Sequence, residues 1–456
     1  MAIVVSTFAA FGGLLYGYDT GSISGIIEMK FFLKTFGSKQ MNEIYSLTSN
    51  DKSLIVSILS AGTFLGALLG YPSGDYLGRR WGLIFACLIF SIGIACQTAA
   101  VVLPLFLIGR FIAGLGVGII SCIVPMYQSE CAPKWIRGTI VSAYQLFITI
   151  GLLISAILNN ETKDINSHNC YRIPTGIQLI WAVILCIGML LLPESPRYLI
   201  MKENIQAAYQ AQAKLIWKNV DDPEVDNDIK ELIADMELMK TYGTSSYADS
   251  WQQLTGINFI FYYGTSFFHA SGISEPFLIT IATNVVNVIM TLPGMLLMDK
   301  LGRRKILIIG ALGMLISQKT LIVFVCIYIA FFASTWGPAA WVITSEIYPI
   351  SIRAKCMSFS IASNWLFNFA LGYSTPYMVD VDKGNLGSKV FFLWGSTCVG
   401  CLLFAFFCIW ETKGLSLEQV NYLVRNSSPI KSTKLNRELR NGTIDDDNNK
   451  STDMKI

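Results

Sequence analysis

Charged residues are scarce in this sequence of 456 residues. Asp, Glu, Lys and Arg make up 14% of it and hydrophobic residues 53%, whereas soluble domains carry nearly twice that charged fraction. The apolar residues form runs of about 20, which is the length that a helix needs to cross roughly 30 Å of hydrocarbon. Alternating segments of about 10 residues, which a membrane β-barrel requires, are absent. We therefore predict an all-α polytopic membrane protein.

Residues typical of enzyme and metal sites are also scarce. Only two histidines occur, His168 and His269, and we interpret both as solvated loop residues. Most of the eleven cysteines lie inside apolar runs without zinc-ligand spacing, as small core residues do. There is no nucleotide-binding loop, and a net charge of +3 gives no sign of nucleic-acid binding. We expect a protein that is not an enzyme, with no metal, no cofactor and no nucleic-acid partner.

The apolar runs predict twelve membrane spans, six on either side of a polar stretch. The spans are 2–25, 53–73, 82–102, 104–127, 139–158, 175–193, 252–270, 277–298, 306–317, 321–345, 357–379 and 390–410. The first begins at Ala2 without a basic leader or a cleavage site, so we interpret it as a span rather than a signal peptide.

Four regions follow from this pattern. Residues 1–193 and 251–410 form two six-helix bundles, 194–250 a linker with short amphipathic helices, and 411–456 a polar tail that we expect to be mostly disordered. Arginines collect in alternate loops, so the positive-inside rule places those loops, the linker and both termini in the cytoplasm. The sequon at Asn160 then faces outside, where it can be glycosylated.

Two loop motifs occur twice, in the same order. The sequence from Asp75 to Arg80 reads DYLGRR and that from Asp299 to Arg304 reads DKLGRR, each between the second and third span of its half. A glutamate followed seven positions later by an arginine also recurs, between the fourth and fifth spans. A repeat of two motifs in matching loops indicates two halves related by duplication.

The charged side chains of these loops are predicted to act as a latch. Acidic and basic groups at helix ends can pair and hold the two halves closed on the cytoplasmic side, as a network that has two states. The alternative is that they only fix topology, since an exposed pair contributes about 0–1 kcal/mol. The predicted gating residues are Asp75, Arg79, Arg80, Glu130, Arg137, Glu194, Arg197, Asp299, Arg303, Arg304, Glu346 and Arg353.

Ten stretches carry a resemblance to a known family. They are GYDTGSISG, GDYLGRRWG, GRFIAGLGVG, SECAPKWIRGT, PESPRYL, QQLTGINFIFYYG, DKLGRRK, WGPAAWVITSEIYP, SNWLFNF and ETKGLSLEQV. They follow the family's order along nearly the whole chain. The sequence resembles the sugar porters of the major facilitator superfamily, and in particular fungal hexose transporters and glucose sensors. The resemblance implies alternating access in the plasma membrane, with a monosaccharide site between the two halves.

Carried over position by position, the resemblance implies a set of sugar-contacting residues. A sugar's hydroxyls each donate and accept hydrogen bonds, as carboxamides do, and an aromatic ring can cover the apolar face of the sugar. The alternative for any one amide is a hydrogen bond between helices. The implied substrate-binding residues are Gln145, Gln252, Gln253, Asn258, Asn287, Trp341 and Asn364.

The stretch SWQQLTGINFIFYYG, residues 250–264, contains three of these amides. On a straight helix Asn258 would lie about 140° from Gln253. Glycine adopts backbone conformations that other residues avoid, so we predict a break at Thr255–Gly256 that turns Asn258 to the same cavity.

The intramembrane charges Asp19 and Arg110 are predicted to pair, because an unpaired charge in the bilayer is costly. The resemblance implies that an Asp at this place takes the proton in proton-coupled sugar porters. Facilitative carriers share the motif, so Asp19 does not decide the mechanism. We expect facilitated uniport, with proton symport and a non-transporting glucose sensor as alternatives; the short tail argues against the sensor.

Two spans are shorter than in the family. The ninth, 306–317, corresponds to roughly 18 Å of helix, and the seventh is preceded by the polar, turn-prone TYGTSSYADSW instead of an apolar turn. A shortened, inactive copy is therefore a further alternative.

Overall fold

The computed structural model describes residues 1–39, 45–238, 248–271, 273–317, 322–348, 350–380, 383–415 and 417–441. These residues are almost entirely helical, as the composition predicts. Strands β1 (Ser38–Lys39) and β2 (Tyr45–Ser46) form a short antiparallel pair between the first and second spans.

The first half and the linker contain the following elements. The helices of the first half are α1 (Ala2–Ala9), α2 (Gly12–Ile26), α3 (Lys30–Phe36), α4 (Ser49–Pro72), α5 (Arg79–Ala99), α6 (Leu103–Cys131), α7 (Arg137–Thr162), α8 (Asn169–Gly176) and α9 (Gln178–Leu191). A π turn (Ser73–Leu77) follows α4 and a 3-10 turn (Lys134–Ile136) precedes α7. The linker helices are α10 (Pro196–Met201), α11 (Ile205–Ile216) and α12 (Pro223–Leu238).

The second half and the tail follow in the same manner. The helices of the second half are α13 (Ala248–Leu254), α14 (Ile257–Ala270), α15 (Pro276–Leu301), α16 (Arg303–Ile316), α17 (Ile322–Ser334), α18 (Trp336–Ile347), α19 (Ile350–Val379) and α20 (Val390–Cys408), with a 3-10 turn (Gly387–Lys389) before α20. The tail helices are α21 (Leu417–Asn426) and α22 (Ser432–Arg440).

Nine helical stretches within the described residues are long and apolar enough to cross a membrane. They include all six predicted spans of the first half and the eighth, tenth and twelfth spans. The seventh consists of α13 and α14, the ninth is α16 with 14 residues, and the eleventh is α19. Across the middle of the molecule, α19 packs along α4 and α15 along α7, so the two halves meet along two pairs of helices.

The tenth span is broken at a place that the sequence analysis did not predict. Helix α17 ends at Ser334 and α18 begins at Trp336, because Thr335 has a non-helical backbone with φ −134° and ψ −84°. Pro338 then lies in the first turn of α18, where its missing N–H has no helical partner to lose. The break brings Trp336 inward, where its indole N–H donates to the carbonyl of Leu307 at 3.0 Å.

The expectation of a mostly disordered tail is wrong for residues 417–440. Helices α21 and α22 are short, but Val420, Leu423 and Leu439 are buried in a small core of their own. The amide of Asn436 donates to the carbonyl of Glu411 at 3.0 Å, which ties α22 to the end of α20. Apolar residues at helical spacing therefore outweigh the polar composition. Residues 442–456, with the acidic end of the tail, lie outside the described residues.

Candidate functional site

The seventh span is broken where the sequence predicts. Helix α13 ends at Leu254, Gly256 has a left-handed backbone with φ +84°, and α14 begins at Ile257. A Cβ atom at Gly256 would lie 2.5 Å from the Trp394 ring, so both the conformation and the space require glycine. The break turns Asn258 toward the same cavity as Gln252 and Gln253.

This cavity lies between the two halves. Its polar lining includes Gln145 from α7, Gln252 and Gln253 from α13, Asn258 from α14 and Trp341 from α18. Its free volume is about 30 Å³, which is room for about one water molecule. The remaining lining residues are Tyr16, Thr20, Ile148, Leu152, Ile257, Phe261 and Phe332.

The carboxamides around the cavity are bonded mainly to one another. Gln253 donates to the side-chain oxygen of Asn364 at 2.9 Å, and its own oxygen accepts from Asn258. Asn364 in turn donates to the backbone carbonyl of Asp249 at 2.6 Å. Gln252 donates to the carbonyl of Gly337 at 2.9 Å, across the break between α17 and α18. A polar ligand must exchange these bonds for its own, because a buried amide left unpaired is costly.

One hydrogen bond crosses the cavity from half to half. The indole N–H of Trp341 donates to the side-chain oxygen of Gln145 at 3.0 Å. The Trp341 ring also meets the Tyr144 ring edge to face, with centroids 5.1 Å apart. These two contacts fix the orientation of the ring at the cavity wall, where it can cover the apolar face of a ligand.

Two of the predicted substrate-binding residues lie outside the cavity lining. Asn364 does not line the cavity, but it accepts a hydrogen bond from Gln253, which does. Asn287 on α15 is fully buried, and neither its nitrogen nor its oxygen has a hydrogen-bond partner among the described residues. Tyr16 and Thr20, which the sequence analysis missed, do line the cavity. The available signal was the stretch GYDTGSISG, residues 17–25, because Thr20 directly follows Asp19 in it and Tyr16 directly precedes it.

The structure places Asp19 and Arg110 together inside the first half. The Arg110 Nη1 atom lies 3.9 Å from Asp19 Oδ1, and both side chains are buried. Neither oxygen of Asp19 accepts a hydrogen bond from the described residues. The two groups are thus at the long end of ion-pair distances, and the Asp19 carboxylate can still accept hydrogen bonds.

The repeated loop motifs form equivalent buried ion pairs in the two halves. Arg79 makes a two-pronged pair with Glu130, at 2.9 and 3.0 Å, and Arg303 makes the same pair with Glu346, at 2.7 and 3.1 Å. Each arginine also donates to the carbonyl of the residue five positions earlier in the chain, Gly74 or Met298. These pairs lie within the halves, whereas we expected them to join the halves. Their role in gating stays a prediction.

A second carboxylate contacts each arginine pair, Glu194 in the first half and Glu411 in the second. Glu194 was predicted from the sequence and Glu411 was not. Glu194 accepts the backbone N–H groups of Arg79 and Arg80 at 3.1 Å each, at the start of α5. Burial raises the pKa of the Glu194 carboxyl, while the N–H groups that it accepts act to lower it. In the second half Glu411 does the same for Arg303 and Arg304, at 2.9 and 3.3 Å. The acid that follows the twelfth span thus matches the acid that follows the sixth.

Arg80 and Arg304, the second arginine of each repeated motif, also occupy matching places. Arg80 donates to the carbonyls of Met189 and Leu190 at the end of α9, and Arg304 donates to the carbonyl of Phe406 near the end of α20 at 2.8 Å. Each therefore satisfies carbonyls that a helix leaves without partners at its C-terminus. This favours a structural role for this pair of arginines.

The other predicted gating residues are distributed around these pairs. Asp75 lies 3.8 Å from the ammonium of Lys202 in the linker. Arg353 donates to the carbonyl of Tyr348 at 3.0 and 3.1 Å. Arg137 and Arg197 are both buried and line a second cavity with Glu130.

Contacts between the halves close the molecule at both ends. At the end that holds the repeated loop motifs, Asp299 accepts the hydroxyl of Thr139 at 2.7 Å and its backbone N–H at 3.0 Å, at the start of α7. At the opposite end the hydroxyls of Ser24 and Thr265 lie 3.1 Å apart, and Ser49 donates to Asp380 at 2.5 Å. Together with the small cavity, these contacts describe an occluded state.

Two bundles of matching helices around a closed polar cavity define a membrane transporter of the major facilitator type. The chain belongs to the family described as "Sugar (and other) transporter", whose sequence profile matches residues 5–424. It is a sugar porter of that superfamily, and it is a multi-pass membrane protein.

Several curated relatives are fungal. The chain is 48% identical to the major facilitator-type transporter ecdD of Aspergillus rugulosus, over 92% of this chain and 87% of that one. It is 43% identical to the probable glucose transporter rco-3 of Neurospora crassa, over 92% and 78%. It is 38% identical to the high glucose sensor RGT2 of Saccharomyces cerevisiae, over 96% of this chain but 63% of the sensor. The first alignment runs over 470 positions, more than the whole chain has, so ecdD contains residues without a counterpart here.

Solved structures of a bacterial sugar carrier share the fold. The proton:xylose symporter XylE bound to 6-bromo-6-deoxy-D-glucose is 28% identical, with a TM-score of 0.82 over 92% of this chain and 98% of that chain. The inward-open form of XylE from E. coli is 27% identical and gives 0.73, over 93% and 100%.

Proposed function

We propose that this protein carries a hexose, with glucose as the reference substrate, across the plasma membrane by alternating access and facilitated uniport. The observation that carries the proposal is the cavity between the halves, walled by Gln145, Gln252, Gln253 and Asn258 with the Trp341 ring beside them. These groups match a ligand that is neutral, rich in hydroxyls and apolar on one face. The relatives named as glucose transporters support the choice of hexose.

The test is uptake of radiolabelled glucose by a cell that lacks its own hexose carriers. We expect saturable uptake that unlabelled glucose competes away. Surface expression without any uptake of glucose or other hexoses would contradict the proposal, and it would favour the shortened, inactive copy. Competition by fructose, galactose and xylose in the same assay ranks the substrates.

Proton symport is a second candidate, because Asp19 keeps free acceptor capacity beside Arg110 and the xylose symporter shares the fold. Adding sugar to a lightly buffered suspension should then make the medium more alkaline. Replacing Asp19 by Asn should abolish that change while sugar exchange continues. The matched control is Asp51→Asn, which removes an acid at the start of α4 outside the ion pair.

A sensor is the third candidate, favoured by the 38% identity to RGT2. Sugar-responsive transcription in cells that show no uptake would support it. Uptake at normal rates without a transcriptional response would exclude it.

We further propose that both termini and the linker 194–250 face the cytoplasm and that 1–193 and 251–410 are the two moving bundles. Asn160 then lies at the outer end of α7, in the last turn of the helix. Glycosidase treatment should increase the gel mobility of the wild type and leave that of Asn160→Gln unchanged. Epitope tags at both ends should be accessible only in permeabilised cells.

A further inference from the structure

A single carboxylate on the outer face receives groups from both halves. Glu28 lies in the turn between α2 and α3, and its Oε1 atom accepts the hydroxyl of Ser266 on α14 at 2.5 Å. The Nδ1 atom of His269, also on α14, lies 3.5 Å from Oε2, and the ammonium of Lys52 on α4 lies 3.9 Å from Oε1. Glu28 and Lys52 belong to the first half, whereas Ser266 and His269 belong to the second.

The position of this cluster links it to the cavity. Helix α14 starts at the Gly256 break with Asn258 at the cavity and ends with His269 at the outer surface. The Glu28 side chain is 13% exposed and that of His269 70% exposed, so protons from the medium reach the imidazole while the carboxylate stays shielded. An outward opening that moves α14 away from α2 must separate these groups.

We propose that Glu28, Lys52 and His269 form a proton-sensitive latch that stabilises the closed outer end. Histidine is the side chain whose charge normally changes between pH 5 and 8. A proton on His269 adds a second cation beside Glu28 and thereby strengthens the contact between the halves. By linkage, the closed state is favoured as the outer pH falls and opening becomes easier as it rises.

Another pair of charged groups between the halves supplies a control. Lys163 at the end of α7 lies 3.7 Å from Glu275 at the start of α15 and 5.2 Å from the centre of the Phe277 ring. This pair contains no histidine. We therefore expect this pair to stabilise the contact between the halves equally at pH 5 and pH 7.5, independently of the latch.

The transport experiment, which rests on the proposed function, uses proteoliposomes with equal pH on both sides, so that no proton gradient drives sugar. We expect glucose exchange in the wild type to be about two- to fivefold slower at pH 5 than at pH 7.5, which is the size of effect of a partly exposed ion pair. His269→Gln and Glu28→Gln should remove this difference, and His269→Lys should be slow at both pH values. Lys163→Gln should change the exchange rate by the same factor at both.

A distance measurement separates failure of the latch from failure of the proposed function. Nitroxide labels are attached at Glu161 and Ser271, which are exposed at the outer ends of the two halves, in a variant whose native cysteines are replaced. We expect the fraction of short distances to rise at pH 5 in the otherwise unaltered chain and not in His269→Gln. If distances respond without sugar exchange, the latch stands and the proposed function fails. If His269→Gln keeps the pH response of rate and distance, the latch is overturned.

Discussion

Trp341 and Gln145 are joined across the central cavity by a hydrogen bond of 3.0 Å, and this bond connects the second half of the molecule to the first. Both residues face the proposed sugar position, so a ligand that enters must either keep the bond or replace it. The residues that recognise the ligand are therefore also residues that hold the halves together. Closure and recognition share the same polar groups.

Replacing Trp341 by Phe keeps a ring at the cavity wall but removes the donor. The Gln145 oxygen is then buried without a partner, which costs about 1–3 kcal/mol. We expect kcat/KM for glucose uptake to fall at least about fivefold, as measured in carrier-deficient cells at equal surface expression. The control is Trp81→Phe, since Trp81 is 53% exposed on α5 and should tolerate the change. Equal effects of the two substitutions would contradict the role of the bond.

Gln253 is the centre of the amide network, and Gln253→Ala should raise the KM for glucose about tenfold or more. The substitution removes one ligand contact and also leaves Asn258 and Asn364 without their partner. Gln97→Ala is the matched control, because Gln97 is equally buried on α5 but does not line the cavity. A normal KM for the Gln253 variant, in the presence of a normal control, would place the sugar elsewhere.

Gly256→Ala should disrupt the break in the seventh span. A left-handed backbone costs a residue with a side chain about 1–2 kcal/mol, and the new Cβ would meet Trp394 at 2.5 Å. We expect reduced surface expression and a lower melting temperature of the purified protein. Gly264→Ala in the same span should behave like the wild type, since its Cβ would have neighbours only at ordinary contact distances of 3.7 and 3.8 Å.

The buried arginine pairs should be essential to the fold of each half. Removing one member of a buried pair leaves the other charge uncompensated, at a cost of about 3–5 kcal/mol. Glu130→Gln and Glu346→Gln should therefore both lower the thermal stability of the detergent-solubilised protein strongly. Lys230→Ala breaks an exposed pair with Asp226, where both side chains are over 40% exposed, and should leave the thermal stability nearly unchanged, because solvent screens exposed pairs. A comparable loss in all three variants would refute the distinction between buried and exposed pairs.

The order of the spans and the site of the break in the seventh span could be predicted from the sequence. The length of an apolar run indicates a span directly. Gly256 lies between the amides of Gln253 and Asn258, and a break at this glycine is the simplest way for both to face one cavity. The two halves could also be predicted, because DYLGRR and DKLGRR return in matching loops.

The pairing of groups between helices could not be predicted in the same way. Arg79 could reach Glu130 in its own half or a carboxylate in the other half, and only packing distinguishes these choices. The break at Thr335 likewise depends on where Trp336 packs. Glu411 could have been found, since it follows the last span as Glu194 follows the sixth.

Helix α16 spans 14 residues, which is about 21 Å of helix, while the hydrocarbon core of a typical bilayer is about 30 Å thick. The lipid beside this helix must thin, or neighbouring helices must shield its ends, at a cost of fractions of a kcal/mol per Å of mismatch. The stability of the second half should thus depend on the acyl-chain length of the surrounding lipid. Thin bilayers should suit this carrier better than thick, sterol-rich ones.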